Sequence, residues 1–269
     1  MSTAPRLIFL HVPRTSGTTL HAIMARQYPR EAIHDAELFL PDDVERFRSL
    51  PEEARARIRV LKGHMAFGLH GSMPGPSRYL TMVRDPIDRL VSYYYYVRRR
   101  PQAALHEYVK GVDLATFVRD GAARDHTDNS YVRFYSGEPF VEMGTIDEVL
   151  LEKAKANLAN HFAVVGQQRH FDETILMLKD EFGWKTPYYQ SENVTAGRPK
   201  VQDIDDGTRK VLDDHTRYDR EIFDFCLKLY QHKLNAMPDG FEREVRLFKQ
   251  KNRVVQKAYP RIKRLRRKR

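Results

Sequence analysis

The chain has 269 residues, of which 41% are hydrophobic, and this is enough for one domain with a substantial core. It has no run of eighteen apolar residues, and its first predicted strand begins too early for the apolar region of a signal peptide, so we expect no membrane span and a cytoplasmic location. The single cysteine, Cys226, excludes an internal disulfide framework and a cysteine zinc site, and the net charge of +10 makes nucleic acid a candidate partner until that charge is located.

The first predicted elements are a strand and a helix that are joined by a polar turn. Leu7 to Val12 is short, apolar and partly β-branched, which is typical of a buried strand. From Thr19 onward apolar residues recur at helical spacing, so the turn "PRTSGT" (13–18) leads into a helix N-terminus. Backbone N–H groups at such a terminus, beside a glycine and hydroxyls, are typical of an anion-binding cradle. A polar turn with a good N-cap is the alternative interpretation of this stretch alone.

This turn differs from the phosphate loop of nucleotide triphosphatases. That loop reads GxxxxGK[ST], whereas Gly17 is the only glycine here and is followed by Thr18 and Thr19. The turn therefore predicts a site for an anion, and it is a poor match for ATP.

Strands and helices alternate along the rest of the chain. The pattern predicts a helical pair broken at Pro51, a strand at 58–63, a strand at 78–83, a helix from Pro86, helices with loops at 114–136, a helix and strand at 151–166, a helix at 170–184, and helices from about 203 to 231. Such alternation predicts an α/β fold with a central, mainly parallel sheet flanked by helices on both faces.

The segment "RDPIDRLVS" (84–92) begins where the strand at 78–83 ends. Asp85 and Pro86 are a typical N-cap and first helical residue, which leaves Arg84 at the carboxyl end of the strand. Ligands of open α/β sheets bind beyond the carboxyl ends of strands, so Arg84 is placed to meet the same ligand as the first turn. The alternatives are an ion pair of Arg84 with Asp85 or Asp88, and a packing role for Ser92.

Together, "PRTSGTT" and "RDPIDRLVS" resemble a pair of motifs found in sulfotransferases. The first is similar to the family's 5′-phosphosulfate loop and the second to its 3′-phosphate motif, an arginine followed eight residues later by serine. The similarity is to heparan sulfate 2-O-sulfotransferase and bacterial glycan sulfotransferases, and it continues in "LKGHMAF" (61–67), which resembles that group's HGH segment.

The resemblance implies a single P-loop-like domain, which we assign to residues 1–252, and the donor 3′-phosphoadenosine-5′-phosphosulfate, with adenosine 3′,5′-bisphosphate as product. It implies that Arg14, Thr15, Ser16, Gly17, Thr18 and Thr19 hold the 5′-phosphosulfate and that Arg84 and Ser92 hold the 3′-phosphate. Ser191, Arg198 and Lys200 match in placement a family loop that closes over the nucleotide. We expect no metal, because fixed donors and cations can neutralise the leaving phosphate and no HExxH pair is present.

His64 matches the catalytic histidine of the HGH segment, which implies that it is the general base; an ordinary loop histidine is the alternative. Two residues depart from the family pattern. Arg14 replaces a lysine and, since it stays charged, is expected to act only electrostatically, which raises the alternative of a weak or inactive homologue. Lys62 replaces the first histidine, and we expect it either to contact the transferring group or to extend from the strand end into solvent.

The acceptor is expected to be a hydroxyl of a glycan, which can be anionic. Asn129 and Arg133 are candidate acceptor contacts, with a structural helix as the alternative.

Residues 253–269 hold nine Lys or Arg and no acid, so they account for most of the net charge. We expect a disordered tail that contacts anionic surfaces or membrane headgroups without specific nucleic-acid binding. A non-catalytic nucleotide- or polyanion-binding protein and a P-loop phosphotransferase remain as alternative functions.

Overall fold

The computed structural model describes residues 5–38, 41–191 and 199–266. Its centre is a five-stranded sheet in the order β2-β3-β1-β4-β5, and every neighbouring pair is parallel. The strands are β1 (Arg6–Leu10), β2 (Ile33–Leu38), β3 (Val60–Met65), β4 (Ser77–Val83) and β5 (Phe162–Gln167). The predicted α/β fold with a parallel sheet and flanking helices is therefore confirmed.

Helices cover both faces of this sheet. They are α1 (Gly17–Gln27), α2 (Pro41–Arg48), α3 (Glu52–Arg57), α4 (Pro86–Arg98), α5 (His106–Lys110), α6 (Leu114–Arg119), α7 (Arg124–Thr127), α8 (Ser130–Ser136), α9 (Glu148–His161), α10 (Phe171–Phe182), α11 (Asp206–His215), α12 (Arg217–Asn235) and α13 (Phe241–Arg266). Within the described ranges, none of them combines the length and the apolar character needed to cross a membrane.

The central strand shows why the sheet is covered on both sides. Leu7 and Phe9 pack into a cluster with α1, α10 and α13, whereas Ile8 and Leu10 pack into a second cluster with α8, α9 and α12. Since all four side chains are fully buried, the strand reads as a continuous apolar run rather than an alternating one. Cys226 lies in the second cluster, as expected for a core residue.

The structure differs from the sequence prediction in one strand and in two element boundaries. The strand β2 was not predicted, because its sequence "IHDAEL" places polar residues on an edge strand. His64 lies within β3 rather than after it. The helix α13 continues to Arg266, so the boundary predicted at 252/253 falls inside a helix.

The order of the strands creates a crevice at one edge of the sheet. The chain leaves β1 through α1 toward β2 on one side, and it leaves β4 through α4 toward β5 on the other side. The carboxyl ends of β1 and β4 therefore flank a point where neighbouring connections diverge, which is where ligands bind in open α/β sheets.

Candidate active site

A cleft of about 880 Å³ lies at this point. Its walls come from the turn after β1, the end of β3, the start of α4 and the segment after β5. The side chains and backbone groups that line it include Arg14, Ser16, Gly17, Thr18, Thr19, His64, Arg84, Ser92 and Ser191. The cleft thus brings together most of the residues that the two motifs predicted, from positions far apart in the chain.

The turn after β1 is held in a strained shape. Arg14 and Ser16 both have positive φ angles, 73° and 75°, which are uncommon for residues other than glycine. Thr15 supports this shape from inside, since its hydroxyl donates to the carbonyl of Val12 at 2.7 Å and its side chain is fully buried. Thr15 was predicted to hold the 5′-phosphosulfate, but it is not among the described residues that line the cleft, and its hydroxyl is used within the turn.

Arg84 connects the two motifs. Its Nη1 donates to the carbonyl oxygen of Arg14 at 3.2 Å, and its Nε donates to Asp88 at 2.7 Å. The ion pair considered as an alternative therefore exists, and it coexists with a place in the cleft wall because the guanidinium has donors for several partners. The backbone N–H of Arg84 is fixed by the hydroxyl of Tyr131 at 2.9 Å.

Ser92 and Arg14 contact each other across the cleft. The Arg14 Nε donates to the Ser92 hydroxyl at 3.1 Å, and the Arg14 guanidinium lies 4.4 Å from the centre of the Tyr96 ring. Arg100 lies 4.7 Å from the centre of the same ring. Two guanidinium groups thus share one aromatic ring, which places positive charge beside Ser92.

His64 is oriented by the strand that the sequence analysis missed. Glu37 of β2 is its register partner, and the Glu37 carboxylate lies 2.9 Å from the His64 Nδ1. A carboxylate only accepts hydrogen bonds, so this contact places the proton of the neutral ring on Nδ1 and leaves a lone pair on Nε2. The ring stacks on His11 with 4.7 Å between ring centres.

The residue before His64, Gly63, must be a glycine for β2 and β3 to pack as they do. It has a φ of +148°, and a Cβ on it would lie 1.7 Å from the carbonyl oxygen of Ala36 in β2. The glycine therefore allows β2 to approach β3 closely enough for Glu37 to reach His64.

The other predicted residues lie elsewhere. Lys62 is buried and contacts Asp35 and His21, so it neither extends into solvent nor lines the cleft. Lys200 lies at the N-cap of the short turn Val201–Asp203, outside the cleft lining, and Arg198 lies outside the described residues.

Asn129 and Arg133 occupy structural positions away from the cleft. Arg133 is fully buried, where it pairs with Asp128 and donates to backbone carbonyls, including that of Glu142 at 3.1 Å. The Asn129 side-chain oxygen accepts from the backbone N–H of Tyr218 at 2.9 Å. The prediction that they contact an acceptor in this cleft is corrected, because their polar groups are used within the fold.

The charge of the cleft suits an anion. Among its described lining residues are Arg14, Arg84, Arg100 and Arg169, against the acidic Glu37 and Asp172. Sequence reasoning missed Arg100, Arg169 and the acids, since no motif marks them. Among the described residues, no group of three or more His, Cys, Asp or Glu side chains is arranged to hold a metal ion.

Comparisons with known proteins agree on one chemistry. The family model described as galactose-3-O-sulfotransferase matches residues 2–259. Heparan sulfate 2-O-sulfotransferase 1 of Xenopus laevis is 24% identical over 254 residues, which cover 84% of this chain and 70% of that protein. The Homo sapiens protein of that name is 25% identical over 64% of this chain and 53% of its own length.

Two further similarities are more distant. A uronyl 2-sulfotransferase homolog, pip, of Drosophila melanogaster is 25% identical over 60% of this chain and 38% of its own length. The crystal structure of mouse sulfotransferase SULT7A1 complexed with PAP aligns with a TM-score of 0.39 and 14% identity, over 80% of this chain and 65% of that one. The chain thus spans about half the length of the human relative and less of the Drosophila one.

Proposed function

The chain belongs to the galactose-3-O-sulfotransferase family, and on that premise we propose that it transfers a sulfuryl group from 3′-phosphoadenosine-5′-phosphosulfate to a hydroxyl of a glycan. The observation that carries this proposal is the meeting of two motifs in one basic cleft. The first turn of α1 and the pair Arg84 and Ser92 come from separate strand–helix junctions, and both line the same cavity.

The donor fits this arrangement by its charge. The 5′-phosphosulfate lies against the N-terminus of α1, where backbone N–H groups and the helix dipole favour an anion. The 3′-phosphate lies at Arg84 and Ser92, where guanidinium and hydroxyl donors form charge-assisted hydrogen bonds. Arg14 adds positive charge beside the phosphates, and it keeps that charge throughout the reaction.

His64 is the general base of the proposed transfer. The acceptor oxygen attacks sulfur, the bond between sulfur and the phosphate oxygen breaks, and the hydroxyl proton passes to the His64 Nε2. Glu37 at 2.9 Å from Nδ1 stabilises the imidazolium that results. Adenosine 3′,5′-bisphosphate leaves with the negative charge that the breaking bond releases.

The acceptor class follows from the relatives. The heparan sulfate and uronyl enzymes are named for acidic sugars, which supports a carbohydrate acceptor that is itself anionic. The basic side chains Arg100 and Arg169 at the cleft wall would attract such an acceptor.

The first experiment measures ligand-induced stabilisation. We expect adenosine 3′,5′-bisphosphate to raise the thermal unfolding midpoint more than ATP with magnesium at equal concentration, because the proposed site takes a 3′-phosphate and the turn lacks the lysine of a nucleotide-triphosphatase loop. The opposite order of stabilisation would favour a P-loop phosphotransferase.

The second experiment measures turnover. Sulfur-labelled donor is supplied with a panel of neutral and acidic glycans, and label in the glycan is counted. Binding of the bisphosphate without transfer to any glycan would favour the non-catalytic alternative.

A further inference from the structure

Four polar side chains form a chain of contacts beneath the cleft. The Lys62 ammonium pairs with Asp35 of β2 and lies 2.9 Å from the Nδ1 of His21. The Nε2 of His21 lies 3.2 Å from the Nδ1 of His11. Asp35 and Lys62 come from β2 and β3, His21 comes from α1, and His11 directly follows β1. The chain ends at the donor-binding turn, since His11 lines the cleft.

The chemistry of Lys62 fixes every proton along this chain. An ammonium group has three donors and no acceptor, so the His21 Nδ1 must accept and the proton of a neutral His21 must be on Nε2. That N–H donates to the His11 Nδ1, which leaves the proton of His11 on its own Nε2. Asp35 is the anionic partner of the ammonium: burial of Asp35 opposes its ionisation, but the hydrogen bond and charge of Lys62 and the charge of Arg30 hold the pKa of the carboxyl below its ordinary value.

Both histidines are uncharged at neutral pH. Burial is the main cause that lowers the pKa of His21 to about 4, and the charge of Lys62 and the His64 ring add to it. Burial also lowers the pKa of His11 well below its ordinary value, with contributions from His64, His21, Arg14 and Lys62. Asp35 and Glu37 of β2 act on His21 in the opposite direction and do not prevail.

The Nε2 end of the His11 ring lies against Gly17, the first residue of α1. A Cβ placed on Gly17 would lie 1.9 Å from that nitrogen, so a side chain at position 17 would displace the ring. Gly17 therefore lets His11 approach the backbone that binds the anion. The His11 ring also stacks on the rings of His64 and Phe9, whose centres are 4.7 Å and 5.2 Å away.

Resting on the proposed function, we propose that His11 is a second catalytic residue, a neutral hydrogen-bond donor whose Nε2–H contacts the phosphosulfate of the donor, with His21 and Lys62 as positioning residues. His11 keeps its proton throughout. As the bond between sulfur and the phosphate oxygen breaks, negative charge grows on that oxygen, and a fixed N–H beside it strengthens its hydrogen bond without reorganisation. The two stacked rings therefore have opposite tasks, because His64 takes a proton and His11 only donates a hydrogen bond.

The test that needs no variant is NMR of the full chain labelled with ¹⁵N-histidine. Long-range ¹H–¹⁵N spectra distinguish the two neutral tautomers and the charged form of each ring. We expect the His11 resonances of the Nε2–H tautomer across the neutral range, and a shift of that N–H when adenosine 3′,5′-bisphosphate is added. An Nδ1–H tautomer, a charged His11 ring, or an N–H that the bisphosphate leaves unmoved would overturn the inference.

Two pairs of variants then separate hydrogen-bond donation by His11 from a role of its side chain in packing. His11→Gln retains an amide N–H at the end of the side chain, whereas His11→Leu does not, so we expect Leu to lower kcat by about 10²-fold and Gln to recover part of that loss. Lys62→Met removes the fixed donor and is expected to lower kcat and to mix the His11 tautomers, while Lys62→Arg restores a single tautomer. Equal kcat values for Gln and Leu at position 11 would contradict the donor role.

The inference and the proposed function fail in different ways. A His11 Nε2–H tautomer that responds to bisphosphate, in a protein that transfers no sulfate, would count against the proposed function. Sulfate transfer by a protein whose His11 carries its proton on Nδ1 would count against this inference alone.

Discussion

At the scale of single residues, Arg84 links the turn after β1 to the first turn of α4. It holds the carbonyl oxygen of Arg14, pairs with Asp88 and faces the cleft. We expect Arg84→Ala to weaken the binding of adenosine 3′,5′-bisphosphate by about 2–4 kcal/mol, because a partly buried charge-assisted contact is removed and the phosphate loses its partner. Isothermal titration measures this, with adenosine 5′-monophosphate as the nucleotide that lacks the 3′-phosphate.

The control for that measurement is Arg98→Ala. Arg98 is an exposed arginine at the C-terminal end of α4, the helix that begins two residues after Arg84, and it contacts Tyr94 rather than the cleft. If Arg84→Ala weakens the binding of both nucleotides equally, Arg84 supports the turn and does not bind the 3′-phosphate.

The proposed base gives the second prediction. We expect His64→Ala to lower turnover by about 10²–10⁴-fold, which is the usual contribution of a positioned general base. Bisphosphate affinity should change little, since the proposed phosphate contacts are the turn after β1 and Arg84. Steady-state kinetics and titration calorimetry are compared on native protein, His64→Ala and His70→Ala.

His70 is the matched histidine because it follows β3 in the chain and lies outside the cleft lining. Its Nδ1 lies 3.3 Å from the Tyr79 hydroxyl, so its substitution acts on local packing alone. Near-native turnover in His64→Ala would show that another group accepts the proton.

At the scale of elements, the sequence predicted what periodicity and caps encode. The strand–turn–helix after Leu7 and the Asp85 cap of α4 were both predicted, and the Asp85 side chain does accept from the Asp88 backbone N–H. The strand β2 was not predicted, because His34, Asp35 and Glu37 break its apolar pattern. The two acids pair with Lys62 and His64 of the neighbouring strand, and a single sequence does not reveal that pairing.

The missed strand gives the third prediction. We expect Glu37→Gln to lower kcat by about 2- to 5-fold with little change in KM, because the Glu37 side chain is 77% exposed and its hydrogen bond to an imidazolium contributes only about 0.5–1 kcal/mol. Initial rates over a range of acceptor concentrations separate kcat from KM.

Glu31→Gln serves as the control, since Glu31 is an exposed acid in the turn just before β2. A Glu37→Gln enzyme that keeps its kcat would mean that the strand register alone orients His64.

The helix α13 gives the fourth prediction, and here the structure refines the boundary at 252/253. Phe241, Val245 and Phe248 are buried against the core, and the Asn252 side chain accepts from the Tyr189 backbone N–H at 2.8 Å. We expect deletion of 253–269 to leave the unfolding midpoint nearly unchanged. Deletion of 241–269 should destabilise strongly, because each lost apolar side chain contributes roughly 1.5–3 kcal/mol.

Thermal unfolding of the two truncated proteins and the full chain checks this, and sulfate transfer to neutral and acidic glycans is measured in parallel. We expect the shorter deletion to reduce transfer to anionic glycans more than to neutral ones, in a way that fades with salt. Strong destabilisation by the shorter deletion would show that residues beyond Asn252 belong to the core.

At the scale of the whole molecule, charge is distributed in two places with different consequences. The C-terminal segment holds nine basic residues without an acid, and the cleft holds four arginines against two acids among its described lining residues. Salt screens the charge of the first, which lies in solvent, more than the charge of the second, which lies in a partly buried site; we therefore expect salt to weaken contacts of the segment with anionic surfaces more than binding of an anion in the cleft. The cytoplasmic location stays a prediction.

Buried histidines make the stability of the whole fold depend on pH, which is the fifth prediction. Burial lowers the pKa of His21 and of His126 to about 4, and it lowers that of His11 as well. The unfolded chain takes up protons at these sites below the ordinary histidine pKa of about 6.5, whereas in the folded protein His21 and His126 do so only near pH 4. Stability is therefore fully present above about pH 6.5 and is lost as the pH falls toward 4, by on the order of 1–2 kcal/mol per histidine at pH 5.

Urea unfolding at pH 7 and pH 5 measures this loss, and a variant isolates the contribution of one histidine from that of the carboxylates. His21→Gln keeps an N–H at the end of the side chain but cannot take up a proton, so the difference in unfolding free energy between the two pH values should shrink. His170→Gln, at an exposed position, should leave that difference as it is in the native protein. If both variants lose the same stability between pH 7 and pH 5 as the native protein, the acid sensitivity does not come from His21.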